Sequence, residues 1–102
     1  MSDAPFRIER ADASSVRVSG AIGFADASDA VQRTSELFAA NAKDVTVDLG
    51  GLSRADSATL GVLLIWAAAA AVRGVKLRFA NPPRGLQALA HLCDAEPLLG
   101  LA

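Results

Sequence analysis

The sequence predicts an α/β fold, a single domain with a mixed sheet of four to five strands and helices packed on one face. Three observations predict it. Each strand-like segment alternates apolar and polar residues, so each offers one dry face and one wet face. The wet sides carry Arg7, Glu9, Arg17, Thr46, Asp48, Lys76 and Arg78, whereas a sheet covered on both sides needs strands apolar on both faces. Finally, strand, helix and strand follow one another within about thirty residues, the length of a right-handed crossover between parallel strands.

Taken in order, residues 6–10 and 15–19 alternate around a short polar turn and are predicted to form a hairpin. Gly20 and Gly23 bracket the bend that follows. Asp26 or Ser28 is then expected to cap an amphipathic helix whose apolar stripe is Ala27, Ala30, Val31, Leu37 and Phe38, with Asp29, Arg33, Glu36 and Lys43 facing away. Val45, Val47 and Leu49 alternate with Thr46 and Asp48 as the next strand, which Gly50 and Gly51 are expected to end.

The central helix is predicted over 57–73. From Ala58 to Val72 its only polar residue is Thr59, and Gly74 supplies a stop. A helix apolar on every side is buried or lies in a membrane. This one is shorter than the roughly 18–20 residues a bilayer requires, so burial is expected and direct membrane insertion is not. Leu63, Leu64 and Ile65 are expected to anchor the core, Trp66 to join it, and only the polar start of the helix to remain outside. Residues 75–79 form the last alternating strand. Asn81 is expected to cap a final helix with Leu86, Leu89, Ala90 and Cys93 inward, closed by 94–97. The apolar tail 98–101 should dock or add an edge strand.

Composition narrows the function. The chain of 102 residues is 52% hydrophobic, enough for a core, and its net charge of −1 without basic clusters argues against nucleic acid. The single Cys93 cannot form an intrachain disulfide. Residues 1–5 lack the pattern of an export signal, so a cytoplasmic location is expected. No metal-ligand spacing is present, Gly50-Gly51 lacks the lysine of a phosphate-binding loop, and the only histidine, His91, is on a different helix from Ser57. No catalytic residue, metal or cofactor is therefore expected. A small hydrolase with Ser57 as nucleophile is the enzymatic alternative, and it lacks an adjacent base.

Asp56-Ser57-Ala58-Thr59-Leu60-Gly61, preceded by Val47-Asp48-Leu49, resembles the signature loop of STAS domains. Val18-Ser19-Gly20-Ala21-Ile22 is similar to the segment that follows their second strand. The likeness runs through nearly the whole chain, residues 1–102, with one departure: Thr59 stands where the family has glycine. It implies a STAS fold and a non-enzymatic interaction module.

Two branches of the family are similar. One is the MlaB-type cytoplasmic subunit of Mla-type phospholipid ABC transporters, which binds the ATPase subunit and supports its activity. The other is the anti-sigma factor antagonists, in which the residue matching Ser57 is phosphorylated by a partner kinase. From the residues alone, Ser57 and Asp56 read equally as helix caps. The expected partner-binding or phosphorylation surface comprises Arg54, Asp56, Ser57 and Thr59, extended by Arg84 and Gln87 of the last helix.

Overall fold

The computed structural model describes residues 6–38, 42–54 and 56–99. β1 (Arg7–Asp12) and β2 (Ser15–Gly20) pair antiparallel, with Ile8 opposite Val18 and Glu9 opposite Arg17. Asp12 holds the turn by accepting the Ser14 amide at 2.8 Å. β3 (Asp44–Leu52) then pairs parallel to β2, and β4 (Lys76–Ala80) parallel to β3. The result is a four-stranded mixed sheet in the order β1-β2-β3-β4.

Helices cover one face of it. α1 (Phe24–Gln32) links β2 to β3, α2 (Ser57–Arg73) links β3 to β4, and α3 (Arg84–Leu92) and α4 (Glu96–Leu99) follow. Val16, Val18, Val45, Val47, Leu49 and Phe79 point from the strands into a core filled by Leu63, Trp66 and Leu86. Fully burying a large apolar side chain contributes about 1.5–3 kcal/mol, so this single layer holds the fold. The other sheet face carries the predicted polar residues, with Arg7, Glu9, Arg17, Lys76 and Arg78 exposed.

The structure corrects several expectations. Gly50 and Gly51 do not end β3, which continues to Leu52 because Gly51 still pairs with Ser19. A Cβ on Gly51 would lie 2.7 Å from the Ser19 Cβ, so glycine there permits close strand approach. α1 begins earlier than expected: Gly23 is its cap position, and the Asp26 carboxylate reaches back to the Gly23 amide at 3.2 Å. It also stops at Gln32, where a 3₁₀ turn (Thr34–Leu37) takes over and the Thr34 hydroxyl bonds the Val31 carbonyl.

At the other end of the chain, Asn81 does not cap α3. It adopts φ 54° and donates its amide to Asp48 at 3.2 Å, leaving Pro83 at the cap position. Cys93 is exposed rather than inward. Of the two expectations for the tail, docking holds: Leu99, the last residue of α4, sits in the core while Leu98 stays outside. Residues 100–102 lie outside the described residues.

Ile65 gives the most consequential difference. Leu63 is fully buried as expected, but Ile65 is 46% exposed and Val72 89%. With Ser57, Gly61 and Ala68 they form one outward stripe at helical spacing, so α2 exposes its flank as well as its end.

Candidate functional site

The start of α2 is built by Asp56. Its backbone is extended (φ −138°, ψ −172°), and one carboxylate oxygen accepts from the amides of Ala58 at 3.0 Å and Thr59 at 3.1 Å. Two of the four amides that a helix leaves unpaired at its start are thereby satisfied. Thr59 completes the capping box: its hydroxyl accepts the Asp56 amide at 3.3 Å and donates to the Ile22 carbonyl at 2.8 Å. Thr59 is only 1% exposed. It stands behind the surface, tying α2 to the segment between β2 and α1, and its hydroxyl is not available to a partner.

Ser57 is the next residue along and has the opposite environment. It is exposed, and among the described residues its hydroxyl makes no hydrogen bond. The cap is Asp56, so Ser57 has no capping duty. Arg54 lies beside it, its exposed guanidinium 3.7 Å from the half-buried Asp56 carboxylate. Such a surface pair adds little to stability and leaves a polar rim of both signs around Ser57.

One turn further, the surface becomes apolar. A groove of about 430 Å³ opens between α1 and α2, lined chiefly by Phe24, Ala27, Val31, Gly61, Val62 and Ile65. Phe24 is 79% exposed at its rim. Gly61 forms part of the floor, where an added Cβ would meet nothing within 4 Å. Of the outward stripe of α2, Gly61 and Ile65 line this groove, beginning one turn on from Ser57. The sequence reading missed it, because Gly61, Ile65 and Ala68 carry no charge to mark them as outward. Phe24, a large apolar residue just after a glycine bend, was the available signal.

Arg84 and Gln87 occupy the first turn of α3. Because β3 and β4 are parallel, α2 and α3 both start at the same end of the sheet. Gln87 donates to the Pro82 carbonyl at 3.0 Å, and no hydrogen bond joins Arg84 or Gln87 to Asp56 or Ser57. Arg54 and Asp56 meet beside Ser57, Thr59 lies beneath them, and Arg84 and Gln87 start the neighbouring helix α3 without bonding to them.

Other candidates lead elsewhere. The His91 ring is 2.9 Å from Glu96 across the link from α3 to α4. Neither residue lies at the start of α2. Among the described residues no group of three or more His, Cys, Asp or Glu could hold a metal ion, and no helix is long and apolar enough to cross a membrane. A hollow of about 470 Å³ on the open sheet face contains Arg17, Asp48 and Asn81. The Asp48 carboxyl there is held below the usual carboxylate range by the Gly50 amide at 2.8 Å, Asn81 at 3.2 Å and Arg17 at 3.8 Å.

The family model described as "Mlab, STAS domain" matches residues 6–100. No curated protein matches the chain in sequence. Among solved structures, the anti-sigma factor antagonist SpoIIAA in its unphosphorylated form is similar, with a TM-score of 0.68 and 13% identity. The match covers 91% of this chain and 84% of that one. At this identity the likeness concerns the fold.

Proposed function

Because the chain belongs to the STAS domain family in its MlaB-type form, whose domains are generally non-catalytic interaction modules, we propose that residues 1–102 act as one non-enzymatic docking subunit. Its partner in this reading is the ATPase subunit of an Mla-type phospholipid ABC transporter, whose activity it supports from the cytoplasmic face of the membrane. The observation that carries the reading is Ser57: an exposed hydroxyl with no structural duty, between a polar rim and the apolar groove of α1 and α2. Contact there would bury a small neutral group against a partner, with the groove supplying hydrophobic area.

A second reading rests on the same hydroxyl. An anti-sigma factor antagonist needs a serine that a kinase can reach, and Ser57 is reachable. Phosphate there would have to compete with the Asp56 carboxylate, which already occupies the first-turn amides, so it would project outward and repel an acidic partner.

Tagged chain purified from its native cell distinguishes the readings by what comes with it: an ABC ATPase in the first, a GHKL-type kinase in the second. Ser57→Glu should strongly reduce the yield of that partner, by placing a desolvated charge beside Asp56, while Ser57→Thr should retain it. Adding the chain to the purified ATPase should raise its turnover. Equal partner yield with folded Ser57→Glu would remove this surface from the proposal. Recovery of neither partner would remove both readings.

A further inference from the structure

Of the two free edges of the sheet, only one is protected against a second copy of itself. An edge strand presents unpaired N–H and C=O groups that another strand can pair with, unless charge or shape prevents it. The strand order makes β1 and β4 the edges. If β4 paired antiparallel with its own copy, keeping each residue on its own face, Arg78 would oppose Arg78, or Lys76 would oppose Arg78. These registers, centred on Arg78 and on Leu77, set cation against cation, which disfavours pairing. Centring on Phe79 sets Arg78 against Ala80 with no attractive pair.

β1 behaves differently. Pairing centred on Ile8 places Arg7 opposite Glu9 of the second copy, twice over by symmetry, on the open face of the sheet. Ile8 then meets Ile8 on the helix side. Centring on Glu9 would oppose two carboxylates and centring on Arg7 two guanidinium groups, so charge favours the register about Ile8. The groups concerned are available. Arg7 and Glu9 are exposed, and among the described residues neither side chain makes an ion pair or hydrogen bond. Among the described residues, no backbone group of residues 7–11 bonds outside the pairing with β2. Arg10, by contrast, is occupied by the Glu36 and Asp12 carbonyls.

We propose that β1 is a self-association edge, through which a second copy of this chain adds antiparallel about Ile8 and joins two four-stranded sheets into one. The contact is only a few residues long, so the pair forms at high concentration and exchanges rapidly. It lies at the sheet edge, two strands from β3, and leaves the Ser57 surface free. The inference therefore does not depend on the proposed function.

Sedimentation velocity on the purified full chain tests it, over roughly 10 μM to 1 mM. The mass should rise from 10.5 kDa toward twice that value. Arg7→Glu leaves only glutamates at the two positions, and Glu9→Arg only arginines. Each alone should weaken self-association about tenfold or more. An equimolar mixture of the two should recover it, because every facing pair is again opposite in charge. Circular dichroism confirms that both remain folded, and Arg7→Glu faces only Ser19 within its own chain. A monomer throughout the range, or unweakened association in both variants, or failure of the mixture to recover it, would each overturn the proposal.

Discussion

Ser57 and Thr59 are two hydroxyl residues in the first turn of one helix, and the turn of about 100° per residue sends them to opposite sides. Thr59 points back into the fold and serves two neighbours, so its role is structural. Thr59→Val keeps the shape but leaves the buried Ile22 carbonyl without its donor and the Asp56 amide without its acceptor. Stability should fall by about 1–3 kcal/mol in urea unfolding, with partner yield following stability alone. Ser57→Glu should do the reverse. It removes no cap, and an acidic residue in a first helical turn is favoured by the dipole, so unfolding should change by less than about 0.5 kcal/mol while partner binding is lost. The sequence offers Asp56 and Ser57 equally as caps and marks Thr59 only as standing where the family has glycine. Serine and threonine have the same capping chemistry, and only the Asp56 carboxylate, by taking both amides, decides which hydroxyl is left over.

At the scale of the element, α2 combines a buried face with an exposed stripe that has no polar residue after Ser57 until Arg73 at the C-terminus. Helix amphipathicity is read from polarity, and Gly61, Ile65, Ala68 and Val72 look the same as core residues to that reading. The helix and its ends were legible: Asp56 before the apolar run and Gly74 after it, with the left-handed φ of 70° that glycine accepts. Its orientation was not legible, because it is set by packing against α1 and the sheet. Gly61 turns this into a test. Gly61→Ala meets open space and gains helix propensity, so the chain should be more stable by up to about 1 kcal/mol in thermal melts. Gly61→Phe should also fold, but its ring would fill the groove between α1 and α2. If the groove takes part in docking, partner yield should drop with Gly61→Phe and persist with Gly61→Ala.

At the scale of the whole molecule, strand alternation carried the architecture. A one-sided pattern in four strands admits one helical layer, and the structure has one. What alternation could not supply was the closure at the end of the sheet, where Asn81 leaves its expected capping place to bond Asp48. That bond joins the loop after β4 to the open face and also has a pH signature. Asp48 ionises more readily in the native state than in the unfolded chain, with the Gly50 amide the largest cause and Asn81 next. Its contribution to stability is therefore complete above about pH 4 and drains away as the pH falls through the lower native value. Melting temperature followed from pH 7 to pH 2 should show a smaller acid-side decline in Asp48→Asn than in wild type. Asp12 and Glu36, lowered by the Ser14 amide and by Arg33 respectively, keep part of the slope.

The layer beneath the groove has a further property. Trp66 is fully buried, and its indole donates to the Ala30 carbonyl at 3.2 Å, so one side chain of α2 is fastened to the backbone of α1. The chain has one tryptophan and no tyrosine. Its long-wavelength ultraviolet emission therefore originates from a single ring at the junction of the two helices that frame the groove. The molecule carries an optical gauge of its own, set below the surface where a visitor would press, and it reads the separation of α1 from α2 without any added dye.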